Sequence, residues 1–261
     1  METGKNMADI WHEKVNIRFG NVDRSDRLTL WAIFNFFQEA SISHAADLGV
    51  GRDVFKSTGK AWILSRLSLV IDRRPGHGET IQIGTWPRKW DRLFALRDYE
   101  ILDESGNAAV RGRGGWLILD IEKRKPLRVQ PFLDSLPANE GINALPEAGT
   151  SQCPPGLEQR SLLTKKMERA ALYSDIDYYG HVNNARYIQW IQDATDMELL
   201  TNTGRARLDI NYLSEVMPGE TIDILSAPLE EARPIFAYEG RRPGSGQAVF
   251  RAELRMEEIL S

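Results

Sequence analysis

Asp175, Asp177, His181, Asn183 and Asn184 fall within ten positions of one another, inside the run Tyr173–Trp190. A carboxylate and an imidazole this close can take a proton from water and pass it to a leaving group, and side-chain amides can hold a polarised carbonyl. Directly after these polar residues come Ala185, Ile188, Ile191 and Ala194 at spacings of three, which suits the buried stripe of a helix. The polar cluster is therefore expected at a helix N-terminus. Free backbone N–H groups and the positive end of the helix dipole there favour a developing oxyanion.

A chain of 261 residues, 42% hydrophobic and 27% charged, can bury one large core or two smaller ones. Its net charge of −4 argues against a general nucleic-acid binder. No apolar run approaches the roughly 20 residues that span a bilayer, and the start of the chain lacks an apolar signal core, so a cytoplasmic protein with no membrane contact is expected. The lone cysteine, Cys153, permits no disulfide framework, and no His or basic cluster adjoins it to activate a thiolate. His12, His44, His77 and His181 show no metal-ligand spacing, and no glycine-rich phosphate loop follows a strand. No metal and no cofactor are expected.

The elements that must position the polar cluster follow from periodicity. Residues 11–19 alternate as a half-buried strand, and Leu30, Ile33, Phe34, Phe37 and Ala40 mark a helix over 28–47 that stops near Gly49. Strand-like runs follow at 62–71, 80–86, 94–102 and 109–121. A Pro-rich crossover covers 126–164. Then the order returns, with a strand at 165–173, the polar cluster and its helix, and strands near 205–213, 221–229, 235–240 and 248–256. Superposing the chain on itself at an offset of 154 pairs Asp23 with Asp177, Phe34 with Ile188, Gln38 with Gln192 and Ala40 with Ala194. Arg74–Ile83 likewise answers Met217–Ile224, with His77-Gly78 taken as an insertion. Two related units stand in tandem, each with one long helix to bury against an antiparallel sheet.

At this point the residues become specific. Tyr173-Ser-Asp-Ile-Asp, followed by Gly180-His-Val-Asn-Asn and Tyr187-Ile, resembles the signature of the acyl-ACP thioesterases of plant plastids and bacteria. Trp62–Ile71, Leu96–Leu102 and Leu208–Glu215 are similar to the same family in the same order, so the resemblance covers nearly the whole chain. It implies an α+β tandem double hotdog, each unit a long helix wrapped by an antiparallel sheet. Residues 1–138 would form an N-terminal unit that binds the acyl chain, 139–164 a linker, and 165–261 the catalytic unit. The implied activity is hydrolysis of fatty acyl thioesters on acyl carrier protein in fatty acid biosynthesis. The implied partner is that carrier, and assembly into a homodimer stays open. The family places its catalytic group on an Asp, an Asn two residues on, a His two further and a Glu in the second unit's next strand. Asp177, His181 and Glu215 match. Tyr179 stands in place of the Asn, so Tyr179 and Asn183 are both candidates for positioning substrate, with the ring at 179 expected to turn into the core. Val216 stands where plant members often carry a Cys, which removes a thiol nucleophile at that position.

Each residue also has a structural reading. Asp177 can be a turn aspartate, Asn183 and Asn184 helix caps, and Glu215 a solvated carboxylate at a strand end. The two units differ where chemistry is expected: Ser25 lies opposite Tyr179, Arg27 opposite His181 and, in a Pro-anchored alignment, Asp72 opposite Glu215. Arg88–Arg92 with Arg111 and Arg113 form a candidate surface for an acidic carrier. Leu30–Phe37 and Trp62–Leu69 are candidate tunnel walls, and enlarging a small residue there such as Ala32 or Ser68 would favour shorter chains if it faces the tunnel. A CoA thioesterase, a hotdog dehydratase and a non-catalytic acyl-binding protein are the rival readings.

Overall fold

The computed structural model describes residues 9–91, 93–129, 132, 136, 137, 139, 141–146, 162–230 and 233–258. Arg92 and Cys153 lie outside them. The first half runs β1 (Trp11–Asn16), α1 (Leu30–Asp47), α2 (Arg52–Ser57), β2 (Lys60–Ile71), β3 (Thr80–Asp91), β4 (Phe94–Leu102), β5 (Ala108–Asp120) and β6 (Lys125–Leu127). The second runs β7 (Thr164–Ala170), α3 (Asn184–Asp193), α4 (Met197–Asn202), β8 (Thr203–Tyr212), β9 (Thr221–Pro228), β10 (Ile235–Arg241) and β11 (Ala248–Glu258).

All described strands join one antiparallel sheet in the order β1-β3-β4-β5-β2-β8-β11-β10-β9-β7, with β6 against β5. The order of the first half, outward from the middle, is repeated by the second. The halves meet where β2 pairs with β8, Leu69 facing Leu208 and Ser68 facing Asp209.

Thr29 caps α1 by accepting the Ala32 N–H, and Asn183 caps α3 by accepting the Ala185 N–H at 2.8 Å. The apolar stripe of α1 (Ile33, Phe34, Phe37, Ala40) and that of α3 (Ala185, Ile188, Ile191) are buried in one continuous cluster with Leu67, Leu69, Ile83, Leu208, Ile210 and Ile224. Each buried Leu, Ile or Phe among them stabilises the fold by roughly 1.5–3 kcal/mol. The helices also meet directly, since Gln192 Oε1 on α3 accepts the Leu30 N–H at the start of α1 at 3.0 Å. A polar core contact repeats between the halves, the Ser41 hydroxyl bonding the Tyr99 hydroxyl at 3.2 Å and that of Thr195, 154 positions on from Ser41, bonding Tyr238 on the equivalent strand at 2.7 Å.

Several expectations need correction. The strands expected over 11–19 and 165–173 end at Asn16 and Ala170, because short 3-10 turns at Phe19–Asn21 and Tyr173–Asp175 bend the chain away and leave Phe19 and Tyr173 exposed. Arg113 is not a surface cation: it is buried and holds buried Asp98 through two bonds of 2.6 and 2.8 Å. Arg88 is tied to the Ile142 carbonyl. Ser68 does not face an apolar tunnel, since its hydroxyl donates to Asp209 at 2.6 Å across the β2–β8 seam. The described stretch 141–146 lies against the first half, where the Ala144 N–H donates to Asp98 at 2.9 Å.

Candidate active site

The loop before α3 is built around Asp177. Its N–H donates to the His181 carbonyl at 2.9 Å, its carbonyl accepts the Gly180 N–H at 3.0 Å, and its carboxylate accepts the Tyr179 N–H at 2.8 Å. Gly180 has φ 87°, a left-handed turn residue that glycine adopts without a Cβ clash. This tight turn throws His181 back over Asp177. His181 Nδ1 lies 3.8 Å from Asp177 Oδ1, and its Nε2 lies 3.6 Å from Glu215 Oε2. One imidazole thus stands between two carboxylates, each ring nitrogen facing one of them. His181 and Asp177 are about three-quarters buried, and Glu215 is half exposed.

Glu215 sits in the loop after β8 rather than in a strand. Arg242, at the end of β10, fixes that loop by donating to the Glu215 carbonyl at 2.6 Å and to Glu220 at 2.9 Å. The Val182 N–H donates to the Val216 carbonyl at 2.9 Å, which ties the Glu215 loop to the histidine's own segment.

Tyr179 does not turn into the core. Its ring is about half exposed and stacks on the His181 imidazole, centroids 6.0 Å apart and planes 9° from parallel, because the turn at Gly180 points residues 179 and 181 the same way. Partial burial raises its hydroxyl pKa. Asn183 has its side-chain oxygen committed to the helix cap. Sequence periodicity missed the next neighbours: Arg52 and Lys56 on α2 of the first half reach across to Tyr178, Arg52 lying 4.0 Å above its ring and Lys56 bonding its hydroxyl at 3.3 Å. A six-residue helix shows too little periodicity to be read from sequence, so only the structure brings these cations to the site's edge.

The first half carries the same loop with different chemistry. The Asp23 N–H donates to the Arg27 carbonyl at 2.9 Å and its carboxylate accepts the Ser25 N–H at 2.9 Å, matching Asp177 bond for bond. The next turn matches at an offset of 141: the Leu28 N–H to the Pro75 carbonyl answers Val182 to Val216, and Gly78 to Ile17 answers Gly219 to Ala171. That register contains no insertion at His77-Gly78, and it sets Arg74, not Asp72, opposite Glu215. The signal was present in the sequence, because Gly78-Glu-Thr-Ile81 and Gly219-Glu-Thr-Ile222 align at 141 without a gap. Asp23 and Arg74 form an ion pair at 2.6 Å, and Arg74 and Arg27 donate to carbonyls at the end of α4, including Leu200 at 2.7 Å and Thr203 at 3.2 Å. The equivalent loop of the first half is a structural clasp.

A family model described as the acyl-ACP thioesterase N-terminal domain matches residues 8–134, and one described as the acyl-ACP thioesterase C-terminal domain matches residues 163–255. The chain belongs to the acyl-ACP thioesterase family. It is 24% identical over 234 residues to a chloroplastic acyl-[acyl-carrier-protein] hydrolase of Cuphea viscosissima, covering 84% of this chain and 55% of that relative. It is 25% identical over 238 residues to the chloroplastic oleoyl-acyl carrier protein thioesterase 1 of Arabidopsis thaliana, covering 85% and 64%. This acyl-ACP thioesterase family member thus spans little more than half of the first relative and under two thirds of the second. The crystal structure of an acyl-ACP thioesterase from Bacteroides thetaiotaomicron superposes with a TM-score of 0.81 at 25% identity, covering 95% of this chain and 98% of that one.

Proposed function

We propose that the chain hydrolyses fatty acyl thioesters of acyl carrier protein to the free fatty acid and the carrier thiol, as part of fatty acid biosynthesis. The observation that carries this reading is the imidazole of His181 held between Asp177 and Glu215 at 3.8 and 3.6 Å, in a chain of the acyl-ACP thioesterase family. The accessible carboxylate, Glu215, takes a proton from water as its oxygen attacks the thioester carbon. The C–S bond then breaks and the sulfur receives a proton through His181, whose orientation Asp177 fixes. The products are a carboxylic acid and a thiol, and no further reactant is consumed. Positioned acid and base groups of this kind contribute about 10²- to 10⁴-fold each.

The repeated strand order, with one buried helix per half, supports reading the fold as a tandem double hotdog. In this reading residues 165–261 form the catalytic unit and 1–138 the unit that receives the acyl chain, because the first half replaces His181 and Glu215 by Arg27 and Arg74 while keeping the aromatic-rich α1. The purified protein incubated with a ladder of acyl-ACP lengths should release free acid, detected by mass spectrometry. Faster turnover of matched acyl-CoA would move the assignment to a CoA thioesterase, and enoyl thioester without free acid to a dehydratase.

A further inference from the structure

The two helices repeat one another at an offset of 154, but one contact between them is made on only one side. Gln192, on α3, reaches across the interface and accepts the Leu30 N–H, the first of α1. The same offset carries Gln192 to Gln38 on α1, and Leu30 to Asn184, the first residue of α3. The loops that lead into the two helices repeat bond for bond, and at the seam the pair Leu67 with Ile210 exchanges with the pair Leu69 with Leu208 at an offset of 141, so the interface has an approximate two-fold axis. That axis relates Gln38 to Gln192, and the start of α3, which follows the loop bearing Asp177 and His181, to the start of α1. At the start of α3 the Gln38 amide does not close the helix end. Gln38 is half-buried, and among the described residues neither its side chain nor the Asn184 N–H has a hydrogen-bonding partner. Gln38 is not among the described residues whose side-chain polar atoms are buried without a partner, so its unpaired amide remains accessible for a hydrogen bond.

We propose that Gln38, from the first half, is a substrate-contacting residue of the second half's site, donating its side-chain N–H to the thioester carbonyl oxygen beside the Asn184 N–H. This rests on the thioesterase reading above. It also accounts for Tyr179: the family amide is missing from that position, and a phenol stacked on His181 cannot supply a paired donor and acceptor, whereas an amide from α1 can. Two neutral donors converging on one oxygen stabilise the negative charge that develops there when water attacks.

Gln38→Ala should lower kcat by about a hundredfold, the effect of one lost oxyanion donor, with KM and the melting temperature little changed. Gln38→Glu should be slower still at neutral pH, because an ionised carboxylate cannot donate, and should gain on Gln38→Ala as pH falls toward the ordinary Glu range of about 4. Gln192→Ala, the two-fold counterpart, should lower the melting temperature and leave kcat unchanged. Binding separates this inference from the activity itself. A hydrolysis-resistant acyl-pantetheine ketone, with methylene in place of sulfur, should bind Gln38→Ala more weakly than wild type. The thioether without the carbonyl should bind both equally. A protein that binds the ketone through Gln38 yet hydrolyses no acyl-ACP would overturn the function and keep the contact. Wild-type kcat and wild-type ketone affinity in Gln38→Ala would overturn the contact, as would failure of the wild-type protein to bind the ketone.

Discussion

Asp23→Asn and Asp177→Asn are the same substitution at equivalent turns, and the structure requires them to fail in different ways. Asp23 is paired at 2.6 Å with Arg74, whose side chain is only 3% exposed. Removing one partner of a buried pair costs about 3–5 kcal/mol because the other charge is left unpaired. Asn keeps one oxygen for the Ser25 and Arg27 N–H groups, so the lower end, about 3 kcal/mol, applies. For a chain of this size each kcal/mol moves the melting point by about 2–4 °C, which predicts a fall of about 6–12 °C. Burial alone would raise the Asp23 carboxyl, but the Ser25 bonds and the Arg74 charge outweigh it and hold the pKa below its ordinary value. Since the folded pKa is depressed, the contribution is complete above the unfolded value of about 3.9 and is lost as pH falls through the folded one. The gap between wild type and Asp23→Asn should therefore be constant near neutrality and close in acid. Turnover at saturating acyl-ACP should be retained. Asp177→Asn should instead lose at least about tenfold in turnover with little change in melting point. Calorimetry across pH and a free-acid assay on both proteins decide the matter. A folded Asp23→Asn protein that loses turnover as Asp177→Asn does would refute the division into clasp and catalytic loop.

Tyr179→Phe keeps the ring on His181 and should change kcat by less than about twofold, whereas Tyr179→Leu, losing a stack worth about 0.5–1.5 kcal/mol, should lower it by up to about tenfold; equal losses in the two would show that the hydroxyl matters. Arg242→Ala frees the Glu215 loop and should reduce kcat by about tenfold while acyl-ACP binding persists, as read by steady-state kinetics against a pull-down of the carrier. His44 is buried in α1 beside Arg97 at 3.0 Å, and burial first, then that guanidinium, depresses its pKa. The unfolded chain then binds the extra proton, so stability should fall as pH drops below about 6.5, and His44→Gln should flatten that slope in urea titrations from pH 7.5 to 5.

The site was legible because its signals are local. Asp177, Gly180 and His181 sit in one turn, and the 3.6-residue period of Ala185, Ile188 and Ile191 places that turn at a helix start. Repetition at 154 was legible for the same reason, since turn and helix are both short-range. What escaped was long-range. Arg113 and Arg74 look like surface cations until the fold brings Asp98 and Asp23 to them. Nothing in the spacing of α2 tells that Arg52 will meet Tyr178, more than a hundred positions on. The Arg74 equivalence is visible only in the Gly-Glu-Thr-Ile register, since a register anchored on Pro75 and Pro218 differs by two and hides the reversal of charge opposite Glu215.

The seam between β2 and β8 joins the halves within a single covalent chain. Were the same two halves separate identical molecules, every substitution would appear on both sides of the axis, and a histidine gained at one loop would be gained at the other. Fusion lifts that constraint: Arg27 can grip a helix end while His181 stands between two carboxylates, each under its own selection. It also makes the pairing independent of dilution, because each half meets its partner at a fixed effective concentration set by the connecting segment. An enzyme so built would keep its composite site intact at concentrations where a two-chain version would fall apart into halves, neither holding both α1 and α3.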